Sequence, residues 1–301
     1  MASFKSWISA LRPRTLFLAT ATALSGSGIA YSTGKFSLPV FILTIAIATI
    51  LQLLSNMAND LGDYQHGTDI TGERIGPQRT VQSGAITPRQ MKRAILIVIG
   101  LAAIVGALLI YTALQFMELK YILLFLGLGA ASIVAAIKYT AGSDPYGYRG
   151  LGDIFSFTFF GLVSVIGTYF LHTHIIDFMP WLPAIGLGLL TVAVLNLNNM
   201  RDVENDRKSG KITIPVQIGL KNAKIYHAIL TFGALVCFTI YSAIYSVHWY
   251  QYIYLLSFII FIKLLINIFK IKENRLLDPY LKYTSMGTFI LSVCFSICIN
   301  L

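Results

Sequence analysis

The chain has 301 residues, of which 56% are apolar and only 12% are Asp, Glu, Lys or Arg; soluble domains carry about 25% charged residues. A water-soluble fold of this size cannot clothe its surface with so few charges. The formal net charge of +10 therefore argues for membrane topology and attraction to anionic lipid, not for nucleic acid, because no soluble basic domain is left to bind any.

Nine apolar runs of about 20 residues follow one another, each long enough to cross a bilayer as a helix. They cover residues 15–33, 38–58, 91–113, 119–138, 151–172, 179–200, 223–246, 250–270 and 281–300. None alternates over about ten residues as a barrel strand would. The expected fold class is all-α, a multi-pass membrane protein with nine transmembrane helices around a central cavity and a cytoplasmic cap. The expected domain organisation is a single unit over 1–301, built from two pseudo-repeats (roughly 15–140 and 151–270) plus a final helix.

Lys5, Arg12 and Arg14 ahead of LFLATATALSGSGIAY give the first run the look of a signal peptide. Eight further spans follow, so it reads as a retained first helix. Numbering the connections along the chain, every Lys and Arg except Lys35 and Lys120 falls on the N-terminal tail or on an even-numbered connection. That bias places the N-terminus and the even connections in the cytoplasm and the C-terminus outside, as expected for a plasma (inner) membrane protein. Cys237, Cys294 and Cys298 lie inside predicted helices without metal-ligand spacing and read as packing residues.

The second run ends in NMANDLGDYQHGTD, residues 56–69. Acid at a helix centre costs about 2.5–3.5 kcal/mol per charge on insertion scales, and clustered acids repel each other even at the interface. Seven of the 13 Asp and Glu nevertheless sit in two short stretches. Asp60, Asp63, Asp69 and Glu73 occupy the connection between spans two and three. Asp202, Glu204 and Asp206 occupy that between spans six and seven. If span two continues as helix, Asn56, Asn59, Asp60 and Asp63 share one face at i, i+3, i+4 and i+7. In NLNNMRDVENDRKSGK (196–211), Asn198, Asp202 and Asp206 recur at i, i+4 and i+8, with Asn199 and Arg201 beside them.

Any one of these acids alone fits a loop cap. Two matched patches at one membrane depth suit Mg²⁺, a hard ion that takes one or two carboxylates together with substrate phosphate oxygens. Arg74, Arg79, Arg201, Arg207, Lys208 and Lys211 nearby suit a metal–diphosphate complex better than a bare metal. An ion-coupled transporter is the alternative from another class, although its acids belong mid-helix, where most of these spans have none.

Asn59-Asp60-x-x-Asp63 followed by Asp69, paired with Asn199-x-Arg201-Asp202-x-x-x-Asp206, resembles the twin Asp-rich motifs of the UbiA superfamily of intramembrane aromatic prenyltransferases. WISALRPRTL (7–16), IGPQRTVQSGAITPRQMKRA (75–94) and YTAGSDPYGYRGLGD (139–153) resemble the subgroup acting on 1,4-dihydroxy-2-naphthoate. The spacing departs from the broader superfamily at Gly67, where the last Asp of the first motif is usual; here Asp69 follows two residues later.

The resemblance implies a polyprenyl diphosphate donor, a 1,4-dihydroxy-2-naphthoate acceptor and Mg²⁺ as cofactor. The implied metal ligands are drawn from Asn59, Asp60, Asp63, Asp69, Asn198, Asp202 and Asp206. Asp63, Asp202, Asp206, Asp153 and Tyr139 are implied in catalysis, and Asn56, Arg79, Arg201, Lys211, Lys138, Arg14 and Asn199 in substrate binding. Tyr64, Tyr139, Tyr146 and Tyr148 are candidates to face an allyl cation. Other aromatic acceptors, such as 4-hydroxybenzoate or homogentisate, stay open. Gly100, Gly106, Gly127, Gly129, Gly161 and Gly167 could line a slot for the tail or permit close helix packing.

Overall fold

The computed structural model describes residues 2–67 and 79–301, and the described residues form helices and connections without strands. A short amphipathic helix, α1 (Phe4–Leu11), precedes the first span; Ser3 caps it by accepting from the Ser6 N–H. The sequence reading did not anticipate it. Arg12 then takes a left-handed conformation, and Pro13 opens the turn into α2 (Leu16–Ser32).

The other spans are α3 (Leu38–Gln65), α4 (Pro88–Leu114), α5 (Leu119–Lys138), α6 (Gly152–Thr173) and α7 (Trp181–Arg201). After the short α8 (Val203–Lys208) come α9 (Ile214–Tyr245), α10 (Trp249–Lys270) and α11 (Asp278–Cys298). Eight are long and apolar enough to cross a membrane. α2, at 17 residues, completes the nine expected positions. This is a multi-pass membrane protein.

Local chemistry sets the ends. Pro39 sits in the first turn of α3, where its missing N–H costs nothing. Thr87 and Gln90 form a reciprocal capping box at the start of α4. α3 runs seven residues beyond the apolar run and carries the acid patch as helix, because Asn59, Asp60 and Asp63 find partners there. α9 starts nine residues before the expected span and is interrupted at Gly219, whose φ of 78° breaks the helix. α7 stops at Arg201, so Asn198, Asp202 and Asp206 do not lie on one continuous helix.

α2 packs against α3, α6 and α11; α7 packs against α6, α9 and α11. The approaches are close where a side chain is missing. A Cβ on Gly28 would come within 2.5 Å of Ser296 Oγ on α11, and one on Gly161 within 2.7 Å of the Ala184 carbonyl on α7. Gly161 lies in a π-helical turn of α6, Phe157–Val163. Gly100, Gly127 and Gly129 face open space instead. α5 is peripheral: 6% of its apolar window is buried, and it leans on α3 and α4 alone among its substantial neighbours.

Candidate active site

The first patch ends α3 and is knitted to the segment after it. Asp63 is 1% exposed. Its Oδ2 pairs with the Arg79 guanidinium, and its Oδ1 accepts from the Tyr148 hydroxyl at 2.8 Å. Arg79 also donates to the Asn59 carbonyl. Asn59 Oδ1 accepts from Thr140 Oγ1 at 3.1 Å, and Thr140 lies so close to Gly62 that a Cβ there would fall 2.6 Å from its hydroxyl.

Asp60 points to another task. Its Oδ2 accepts from the Thr80 N–H at 3.1 Å and the Thr80 hydroxyl at 2.6 Å, and its Oδ1 from the Val81 N–H at 3.3 Å. Asn56 donates to the Leu11 carbonyl and to Thr15 Oγ1, both at 2.8 Å, and so ties α3 to the α1–α2 junction. The four residues expected on one face thus diverge in partners. Asp69, Glu73 and Arg74 lie outside the described residues.

The second patch is organised by Arg201, buried to 1% exposure. Its Nε and Nη2 donate to the two oxygens of Asp202 at 2.9 and 2.6 Å; Nη2 also reaches Asn198 Oδ1 at 2.9 Å. Nη1 donates to Asp278 Oδ1 at 2.5 Å, and Asp278 Oδ2 lies 3.5 Å from Arg14 Nη1. Asp206 Oδ1 is 3.8 Å from Lys211 Nζ, and the Asp206 carbonyl accepts from the Lys211 N–H at 2.8 Å. Among the described residues, Asn199 Oδ1 is buried and finds no hydrogen-bond partner.

Lys211 and Tyr148 join the two patches. Lys211 Nζ lies 5.6 Å from the Tyr148 ring centroid and 5.8 Å from that of Tyr139, within cation–π range. The Ile212 N–H donates to the Tyr148 carbonyl at 2.9 Å, stitching the two connections together. Burial works against the Lys211 charge, but Asp206 and then Asp63 outweigh it and hold its pKa above the ordinary lysine value. Burial raises the Tyr139 phenol, with Lys211 acting in the opposite sense.

Asp153 opens α6, where the helix dipole favours an acid, and its Oδ2 accepts from the Tyr226 hydroxyl at 2.9 Å. Lys138 stays exposed at the end of α5, its ammonium against Gly142. A cavity of about 300 Å³ opens beside the patches and is walled by Arg12, Arg14, Arg79 and Arg201, with Asp60 and Asn198. Asp278, Tyr226 and the α1 contribution to this cavity escaped the sequence reading. Asp278-Pro279 at a helix start was the available signal, a typical acid-and-proline opening.

Among the described residues, no three His, Cys, Asp or Glu side chains gather closely enough to hold a metal alone. The donor set still fits Mg²⁺: each patch offers carboxylates, Asn199 offers an unpartnered buried carbonyl, and the remaining coordination falls to phosphate oxygens and water.

The profile of the UbiA prenyltransferase family matches residues 19–285. This chain belongs to the UbiA prenyltransferase family. Among curated UbiA relatives, it is 41% identical to the 1,4-dihydroxy-2-naphthoate octaprenyltransferase of Haemophilus influenzae, covering 97% of this chain and 95% of that one. It is 40% identical to the Escherichia coli protein of the same name, over 97% and 94% of the two chains. Among solved structures, a UbiA homolog from Aeropyrum pernix superposes with a TM-score of 0.66 at 18% identity, over 95% of each chain. The UbiA homolog from Archaeoglobus fulgidus bound to DMAPP and Mg²⁺ superposes with a TM-score of 0.62 at 16% identity, over 97% of this chain and 99% of that one. At these identities the two structures speak for the fold. Family membership sets aside the ion-coupled transporter.

Proposed function

We propose that this prenyltransferase moves a polyprenyl group from an allylic diphosphate to 1,4-dihydroxy-2-naphthoate, releasing diphosphate and CO₂ and forming a demethylmenaquinol for menaquinone biosynthesis. The observation that carries the reading is the juxtaposition of two acid patches, bridged by Lys211 and Tyr148, with a pocket walled by four arginines. The first half of that arrangement suits a metal-bound diphosphate, and the second suits an anionic aromatic acceptor. The relatives at 40% and 41% identity support naphthoate over 4-hydroxybenzoate or homogentisate.

Asp63, Asp202 and Asp206 are the principal Mg²⁺ ligands in this reading, with Asn59, Asn198, Asn199 and the first motif's Asp69 completing the set. Bound Mg²⁺ supplies charge neutralisation that makes diphosphate a better leaving group. Asp60 anchors the Thr80–Val81 turn and thereby keeps Arg79 over the site. Arg79 and Lys211 take up the charge growing on the departing oxygens.

The allylic C–O bond breaks and diphosphate keeps its electron pair. Tyr139 and Tyr148 present π faces to the resulting cation-like carbon. The ring carbon bearing the carboxylate forms the new C–C bond. Its bond to the carboxylate then breaks, the electrons restore the aromatic ring, and CO₂ departs. Arg12 and Arg14 hold that carboxylate until it leaves, and Asp153 orients a ring hydroxyl.

The basic end of the bundle faces the cytoplasm of a plasma (inner) membrane protein, by the positive-inside bias. The two patches belong to two pseudo-repeats of a single domain. Incubating membranes with labelled octaprenyl diphosphate and each acceptor tests the reading. Mg²⁺-dependent label in a naphthoquinol is expected; label only in a benzoate product would overturn the acceptor assignment.

A further inference from the structure

The charges on α9 and α10 are all of one sign. Residues 207–272 contain no Asp or Glu, while Lys221 and Lys224 stand on α9 and Lys263 and Lys270 on α10. At the candidate active site the buried cations Arg79, Arg201 and Lys211 each have an acid beside them, in Asp63, Asp202 and Asp206. Here the next acid along the chain, Glu273, is taken up by Arg275 at 2.6 Å. Among the described residues, the ammonium groups of Lys221, Lys263, Lys270 and Lys272 make no ion pair or hydrogen bond.

These lysines share one corner of the bundle. Lys224 Nζ donates to the Ile271 carbonyl at 2.5 Å, which holds the start of α9 against the end of α10. Leu220 of α9 packs in one apolar cluster with Leu264 and Ile271. Lys221, exposed one turn before Lys224, and Lys272, exposed next to Ile271, flank that contact.

Lys263 sets this corner apart from an ordinary basic connection. It is exposed on α10 seven positions before Lys270, about 10 Å inside the span. Lys263, Asn267 and Lys270 fall at i, i+4 and i+7 and so form one stripe. Phe261, Leu265 and Ile268 are buried on the other side of the helix, so the stripe faces lipid. A charge facing hydrocarbon is costly, and a lysine meets that cost by extending its stem toward the headgroups. That course takes the Lys263 ammonium past Asn267 toward Lys270. Ile259, Ile262 and Ile266 are exposed on the same helix and offer an apolar wall to acyl chains.

Four ammonium groups at one corner, with no carboxylate left to meet them, exceed what a single phosphate diester neutralises. They match a lipid that carries two phosphates on one headgroup. We infer that the α9–α10 corner binds a dianionic phospholipid of the cardiolipin class, with Lys263 and Lys270 on one phosphate and Lys221 and Lys272 on the other. This site is separate from the acid patches and does not depend on the prenyltransferase reading.

The test is native mass spectrometry of the full-length, delipidated protein titrated with cardiolipin, phosphatidylglycerol or phosphatidylcholine. Cardiolipin is expected to bind about tenfold more tightly than phosphatidylglycerol, and phosphatidylcholine not to be retained. Lys263→Gln combined with Lys270→Gln should weaken cardiolipin binding by about tenfold or more, whereas Lys263→Arg with Lys270→Arg keeps it. Lys221→Gln with Lys272→Gln repeats the test on the other phosphate. Lys92→Gln, which removes an exposed cation from α4, leaves binding at the wild-type value. Melting without added lipid checks that each variant folds; cardiolipin should raise the wild-type melting temperature, and the Gln pairs should lose that rise. Equal binding of phosphatidylglycerol and cardiolipin, or wild-type affinity in both Gln pairs, overturns the site. So does a loss in Lys92→Gln as large as in the Gln pairs, which would leave only the diffuse attraction of a basic protein for anionic lipid.

Discussion

Arg201 Nη1 donates to Asp278 Oδ1 at 2.5 Å, across 77 positions of sequence, and thereby fastens the start of α11 to the end of α7. The same carboxylate turns its other oxygen toward Arg14 at 3.5 Å. One acid on the last span therefore aligns two of the four arginines around the pocket proposed for the acceptor. Asp278→Asn keeps the shape and removes the charge. A hydrogen bond to a charged group contributes about 1.5–3 kcal/mol, so thermal unfolding in detergent should shift by that order. KM for the acceptor should rise more than kcat falls, and Asp278→Glu should recover part of the loss. A kcat defect with unchanged acceptor KM would remove Asp278 from this role.

In the proposed function, Asp63 and Asp202 carry the diphosphate half of the site from opposite patches. Asp63→Asn and Asp202→Asn should each reduce kcat by about 10²–10³-fold, the range for removing one preorganised electrostatic contact. Helical circular dichroism and membrane insertion should be retained. In the wild type, chelation should abolish turnover and Mg²⁺ restore it. Mg²⁺ with diphosphate should also raise the melting temperature, and both variants should lose that shift.

Lys211 sits between Asp206 and Asp63, and its pKa is raised above the ordinary 10.5. A raised folded-state pKa stabilises the fold fully below 10.5 and loses that contribution only as pH rises through the folded value. Lys211 therefore remains an ammonium throughout the neutral range. Lys211→Met should slow turnover by a factor that stays constant across neutral pH. A deficit that shrinks as pH rises within that range would show that Lys211 titrates there, contrary to its surroundings.

Gly62 meets Thr140 with no room for a Cβ, which would lie 2.6 Å from the hydroxyl and 2.7 Å from the backbone carbonyl oxygen. Gly62→Ala must push the end of α5 away from α3. Overpacking of this kind costs about 1–3 kcal/mol. It should also lower activity, because Asn59 and Asp63 flank the displaced turn. Pairing it with Thr140→Ala, which removes the hydroxyl but not the carbonyl, should recover only part of the stability.

The spans were legible because a bilayer imposes its thickness on the sequence, and the basic connections confirm the count independently. The two acid patches were legible because charge at a membrane interface demands compensation. Their internal division was not. Asp60 and Asp63 are three residues apart on one helix, yet Asp60 holds the Thr80–Val81 turn and Asp63 meets Arg79 and Tyr148. Which partner each receives depends on connections 20 and 85 residues away, and periodicity within one helix carries no such information. The Asp-Pro start of α11 could be read, but the partners of Asp278 could not, for the same reason: they lie on α7 and on the turn before α2. The glycines divided as local sequence could not foretell, with Gly161 in a helix contact and Gly167 beside a cavity.

α5 is held at one end, where Thr140 grips Gly62 and Asn59, while only 6% of its apolar window is buried within the protein. Tyr121 and Phe125 brace its other end against Phe170 of α6. The outward face between these two anchor points therefore tolerates exchange of one apolar side chain for another without disturbing an acid of either patch.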